Sequence, residues 1–157
     1  MKLRIGLGFD SHAFEEGKPL RLGGIVLDFP KGLKGHSDGD ALLHAITDAL
    51  FGALGEPDIG EIFSDKDPRW KGASSEIFLK EALGRVREKG YSVASLDCVI
   101  ITHEPKIAPY KKAIRENLSR LLGVDQDSIS IKGKSREGFC KDEGLACLCL
   151  ILLMHEG

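Results

Sequence analysis

The chain has 157 residues, 42% hydrophobic and 29% charged, which is the balance of one ordinary globular domain long enough to bury a core unaided. Lys and Arg number 22 against 24 Asp and Glu, so the formal charge of −2 offers no surplus of cations for nucleic acid or an anionic membrane surface. The longest apolar run, residues 145–154, falls far short of the about 20 residues that span a bilayer as a helix, and no signal-peptide pattern opens the chain, so a cytoplasmic protein is expected.

Residues 3–9 (LRIGLGF) predict a strand that ends on Asp10-Ser11-His12. A second extended stretch, 20–29, carries Gly23-Gly24 as a turn or bulge, and 31–38 reads as a polar, glycine-rich loop. From 39 to 55 the pattern is helical, capped by Asp38 or Asp40. Leu42, Leu43, Ile46, Ala49, Leu50 and Ala53 form its apolar arc, while Asp40, His44 and Asp48 share one polar stripe. Residues 56–72 are turn-rich. A second helix over 74–89 is opened by serines and stopped by Gly90. Strand 91–102, helix 110–122 closed by Gly123, short strand 129–132, polar loop 133–143 and last strand 145–154 complete the order. Together they predict a single α+β domain over residues 1–157: a mixed four-stranded sheet with helices on one face.

The last strand is apolar at every position, whereas a strand with one wet face alternates. Two or three helices cover only one side of a small sheet, so the other side calls for a second copy, and a homo-oligomer is expected. The alternative is a sheet covered on both faces within one chain. Cys98, Cys140, Cys147 and Cys149 form no C-x-x-C pair and read as reduced, structural thiols.

Three constellations carry chemistry. Asp10 and His12, two apart on a strand, share a face, and His44 on the helix stripe adds a third ligand of the kind a catalytic Zn²⁺ takes while keeping one position open. Asp40 and Asp48, each one turn from His44, are placed to orient its ring. The alternative for each histidine taken singly is a structural role. In His36-Ser37-Asp38-Gly39-Asp40, Ser37 and the backbone N–H groups of the helix start form an anion cradle, and His36 faces phosphoryl charge. A plain helix-capping loop explains the same residues without function. Lys132 through Lys141 packs cations, a hydroxyl and a carboxylate after a strand, which suits a diphosphate with its divalent metal. From this segment alone, a solvated charged loop is the better account.

Taken together, the motifs resemble the 2-C-methyl-D-erythritol 2,4-cyclodiphosphate synthase family of the non-mevalonate isoprenoid pathway, essentially end to end. The resemblance rests on Gly6-x-Gly8-x-Asp10-Ser-His12, on HSDGDALLHAITDAL (36–50), on Asp58-Ile-Gly60 with Phe63 and Asp67, on EPKIAP (104–109), and on the closing Lys132 to Phe139 and EGLA segments. It implies zinc on Asp10, His12 and His44, and substrate-phosphate contacts at His36 and Ser37. It further implies a methylerythritol-side loop through Asp58, Gly60, Phe63 and Asp67, and a cytidine stretch through Thr102, Pro105, Lys106, Ile107 and Ala108. Ser135 steadies the phosphates, Glu137 holds a second divalent ion (Mg²⁺ or Mn²⁺), and Lys134, Phe139 and Lys141 complete the substrate contacts, with Lys141 in place of the family's arginine. Asp10 and His12 also lie against substrate. Catalysis is implied at His36, Ser135 and Glu137. The implied assembly is a homotrimer, its sheets facing inward and its active sites between subunits, acting on a cytidine diphosphate-linked substrate. This chain departs from the family pattern at Ala13, at Ser64 and in a shortened 133–143 loop. Two other readings stay open: a zinc-dependent phosphohydrolase giving a linear product, and a non-catalytic trimeric ligand-binding module in which His36 closes the metal site.

Overall fold

The computed structural model describes residues 1–139 and 143–157. Its first strand, β1 (Leu3–Glu16), is followed by β2 (Leu20–Leu22), β3 (Ile25–Leu27) and β4 (Lys31–Leu33). Then come α1 (Ala41–Ala53), the single turn α2 (Ile59–Ile62), α3 (Ser75–Glu88), β5 (Tyr91–Thr102), α4 (Lys111–Leu122), β6 (Ile129–Lys134) and β7 (Gly144–His155). The main sheet has the order β4-β1-β7-β5-β6 and is mixed: β5 and β6 run parallel, the other pairs antiparallel. The sheet is therefore five-stranded rather than four-stranded, because Lys31–Leu33, read as loop, pairs with Phe14–Glu16 of β1. Three residues with a central glycine carry no strand propensity, and only the partner's free edge specifies them. The 20–29 stretch forms a separate hairpin, β2–β3, whose two-residue turn places Gly23 and Gly24 at φ 65 and 81, the positive values a tight primed turn demands.

β1 shows why one face of the sheet becomes the helix side. Its even positions, Gly6, Gly8, Asp10 and His12, face α1, and its odd positions, Leu3, Ile5, Leu7 and Phe9, are exposed on the far face. A Cβ at Gly6 would sit 1.8 Å from the Ala49 carbonyl oxygen, and one at Gly8 1.8 Å from that of Ala45. Backbone therefore meets backbone: the two glycines let α1 lie directly on the strand, with Ala45, Ala49 and Ala53 as its matching small residues. Leu42, Leu43, Ile46, Leu50 and Phe51 fill the core to either side, and Cys147, Cys149, Ile151 and Leu153 of β7 floor it. α3 packs on α1 and β5, capped by Ser74 and closed with Arg85 and Arg87 in the last turn, where cations favour the helix dipole. α4 ends on Gly123 in the left-handed region and lies along β6.

Strand β1 runs through Asp10-Ser11-His12 to Glu16 instead of ending there, paired with β7 from Leu3↔Met154 to Ala13↔Gly144. Cys98, Cys147 and Cys149 are free and buried, with the Cys149 thiol 3.2 Å from Cys98 Sγ, and burial pushes the Cys147 and Cys149 thiols well up from their ordinary range. Cys140 lies outside the described residues. Among the described residues no helix is long and apolar enough to cross a membrane.

Candidate active site

One carboxylate and two imidazoles converge above the middle of β1. Asp10 Oδ2 lies 2.7 Å from His12 Nε2 and 3.2 Å from His44 Nδ1, and the three ligand atoms fall within 4.8 Å of one another. The strand's period of two aims Asp10 and His12 at α1, and α1 returns His44 from its first turn. All three are partly buried, His44 the most. Burial works against the Asp10 carboxylate, but hydrogen bonds and charge from His12 and His44 outweigh it and hold its pKa below the ordinary value. The same hydrogen bond to Asp10 raises the pKa of His12 against the opposing effect of burial, helped by a bond on its far side to the Lys34 backbone. A carboxylate oxygen with two imidazole nitrogens is a donor set that fits zinc, and three protein donors leave a tetrahedral ion one position for another ligand. His36 is not in this group; its Nε2 donates to the Asp67 carbonyl at 3.0 Å.

The carboxylates expected to orient His44 do other work. Asp40 is fully buried at the N-cap of α1 and accepts from the backbone N–H groups of Leu43, Gly23 and Gly24 at 3.0, 2.9 and 2.7 Å. Burial raises its pKa, although those three donors pull the other way. Asp48 accepts from Ile59 N–H at 2.8 Å and so fixes the start of α2. Orphan backbone donors at a helix start and in a loop draw a carboxylate more strongly than a ring one turn away. His44 is steadied from elsewhere: its Nε2 lies 2.7 Å from Ser75 Oγ and 3.2 Å from Ser37 Oγ. Ser75 was not singled out. Its signal was the pair Ser74-Ser75 at the start of α3, where Ser74 alone caps the helix, leaving a second hydroxyl free.

The loop from 56 to 72 frames one side. Asp58 caps α2 by accepting from Glu61 N–H at 3.0 Å, with Gly60 in the turn it starts. Phe63 packs in an aromatic cluster, 4.6 Å from the Phe78 ring and 5.3 Å from Trp70. Asp67 is held by Arg69 through bonds of 2.9 and 2.6 Å, which keep its carboxyl below the usual range. At the β5–β6 end of the sheet, two and three strands from β1, a cavity of about 210 Å³ is lined by Thr102, Pro105, Lys106, Ile107 and Ala108, together with Lys134 and Ser135 at the end of β6. His103, Lys111 and Gly133 also line it and were not anticipated. Gly133 is there because a Cβ would meet Ile107 at 2.9 Å. Ser135 Oγ donates to Glu137 at 2.6 Å, and Phe139 is exposed. Segments 102–108 and 133–135, far apart in sequence, thus share one cavity. Lys141 lies outside the described residues. A second cavity, about 610 Å³, opens on the far face of the sheet beside His12, with Phe9, Ser135, Arg136, Phe139 and Glu143 in its wall.

The chain matches the model of the YgbB family over residues 3–154. It is 62% identical over 154 residues to the 2-C-methyl-D-erythritol 2,4-cyclodiphosphate synthase of Aquifex aeolicus (strain VF5), covering 98% of this chain and 99% of that one. The chloroplastic enzyme of the same name from Arabidopsis thaliana is 48% identical over 159 residues, 99% of this chain and 69% of its own. Among solved structures, a 2C-methyl-D-erythritol-2,4-cyclodiphosphate synthase in its CDP-bound form superposes with a TM-score of 0.90 at 44% identity, over 96% of this chain and 100% of that one.

Proposed function

The chain belongs to the YgbB family, and from that premise we propose that it cyclises 4-diphosphocytidyl-2-C-methyl-D-erythritol 2-phosphate to 2-C-methyl-D-erythritol 2,4-cyclodiphosphate with release of CMP, a phosphorus–oxygen lyase step in isoprenoid precursor synthesis. The observation that carries this reading is the meeting of Asp10, His12 and His44 at one point next to the 56–72 loop, in a chain that also carries the cavity lined by Thr102 to Ala108, Lys134 and Ser135. An oxygen of the 2-phosphate forms a bond to the β-phosphorus while the bond from that phosphorus to the CMP oxygen breaks. An ionised phosphate is already a nucleophile, so the site needs no general base, and its work is positioning and charge stabilisation.

Asp10, His12 and His44 would hold Zn²⁺, and Glu137 a second divalent ion (Mg²⁺ or Mn²⁺); bound there, the cations supply Lewis-acid stabilisation of phosphoryl oxygens. His36 and Ser37, in the loop before α1, bind phosphate oxygens, and Ser135 with Lys134 steadies the diphosphate from the end of β6. Lys141 adds a further cation to that loop. Asp58 and Gly60 orient the methylerythritol hydroxyls, with Phe63 and Asp67 shaping the loop around them. Thr102, Pro105, Lys106, Ile107 and Ala108 hold the cytidine, and the exposed Phe139 closes over the substrate.

The assembly we propose is a homotrimer with active sites between subunits. The support is the far face of the sheet, where Leu3, Ile5, Leu7 and Phe9 of β1 line up with Leu148, Leu150 and Met154 of β7 in one exposed apolar patch. Three buried free thiols suit a reducing, cytoplasmic setting. Phosphorus NMR of products, with the cytidyl substrate, Mg²⁺, Zn²⁺ and a chelator control, tests the function. CMP with a cyclic diphosphate, lost on chelation, is the expected result, and CMP with a linear bisphosphate would show a hydrolase instead.

A further inference from the structure

The hydrogen-bond directions behind His44 are settled by chemistry. Ser75 Oγ makes a short hydrogen bond to Asp38 Oδ1, and a carboxylate accepts only, so the Ser75 hydroxyl hydrogen points at Asp38. Asp38 is itself held by Ser75 N–H at 3.0 Å and Asp40 N–H at 3.1 Å, which leaves its carboxylate no freedom to turn away. With its hydrogen committed, Ser75 Oγ presents lone pairs to His44 Nε2 at 2.7 Å, and that nitrogen must be the one carrying hydrogen. In the neutral ring His44 Nδ1 is then a bare lone pair, facing the Asp10 carboxylate oxygen at 3.2 Å. Two acceptors at that distance call for positive charge between them, which a metal ion supplies when the ring is neutral.

We infer that Asp38 and Ser75 are positioning residues that lock His44 in the Nε2–H form and so make Nδ1 a ready-made metal ligand. They act through His44 and not on the substrate. The inference rests on the reading of Asp10, His12 and His44 as a metal site. The relay links three elements: Asp38 precedes α1, Ser75 begins α3, and His44 sits between them on α1. Ser75 is fully buried, so no solvent hydroxyl takes its place.

Zinc affinity, measured by competition with a chromophoric chelator, tests this without reference to turnover. Ser75→Ala should bind zinc about 10- to 100-fold more weakly than wild type, the usual loss when a partner behind a metal-bound histidine is removed. Ser75→Thr keeps the hydroxyl and should restore affinity. Unchanged affinity in Ser75→Ala, including by Ser37 taking over the bond, overturns the inference. Should Ser75→Ala fail to fold, ¹¹³Cd-loaded wild-type protein decides by NMR: coupling of the metal to His44 Nδ1 with a proton on Nε2 supports the relay, and coupling through Nε2 overturns it. Wild-type protein that takes up no zinc would instead refute the metal site itself, and the relay with it.

Discussion

His44 joins two requirements that pull a side chain in different directions, one nitrogen toward Asp10 and the other toward Ser75. Replacing it with alanine removes one of three donors and leaves the core of α1 intact, since the ring lies at the edge of the helix's buried arc. His44→Ala should therefore lose bound metal and turnover while keeping its assembly, read by metal analysis after dialysis and by sedimentation; full activity in that variant would remove the zinc assignment. The Asp10–His12 pair sets the pH response. Zinc requires neutral His12, and the bond to Asp10 raises the His12 pKa from 6.5. Below that raised value a proton occupies the ligand nitrogen, so zinc affinity should begin to fall at a pH above 6.5 as the solution is acidified, earlier than an isolated histidine would dictate. Affinity that stays flat down to pH 6 would contradict this. At this scale the pattern Asp10-x-His12 was legible because a strand's period of two is rigid. The partners of His44 were not: Asp40 and Asp48 share its stripe in sequence, yet the donors that claim them, Gly23, Gly24 and Ile59, come from distant turns.

Element by element, the structure is most legible in the sequence where side chains alone decide it. Strand 91–102 and the three longer helices emerge within two residues or so of their expected ends, because periodicity and caps lie in the local sequence. The far half of β1 and all of β4 did not, since Asp10 to Glu16 loses apolar alternation and is held extended by backbone pairing to β7 and β4. Gly6 and Gly8 carry a similar lesson. They offer no side chain to pack, and for that reason they are the contact surface on which α1 rests. Gly8→Ala would drive a Cβ to 1.8 Å from the Ala45 carbonyl oxygen, and backbone on both sides offers no flexible end to yield. The variant should lose about 3 kcal/mol or more in urea unfolding, at the upper end of overpacking costs, and zinc affinity should fall with it because Asp10 is two residues along the same strand. A loss under about 1 kcal/mol would mean that α1 shifts freely on the sheet.

For the whole molecule, the proposed assembly rests on the far face of the sheet. Its apolar patch runs along β1 and β7 and is bounded on the β5 side by the Asp97–Lys132 ion pair at 2.6 Å, a polar edge around an apolar centre as interfaces have. The cavity of about 610 Å³ beside His12 opens on this same side, with Phe9 in its wall, so a neighbouring copy seated on the patch would also wall the site. Leu7 is 64% exposed and directly opposite Leu150, where a carboxylate costs the isolated fold little but cannot be buried against another copy. Leu7→Glu should therefore sediment near the 17.1 kDa of one chain, and the native protein, as the proposed trimer, near three times that. Its circular dichroism should be unchanged, and turnover should fall with assembly although the substitution touches no metal ligand. Native protein that sediments as a single chain at full activity would refute the inter-subunit site. A Leu7→Glu trimer of native activity would show that the patch serves some other contact.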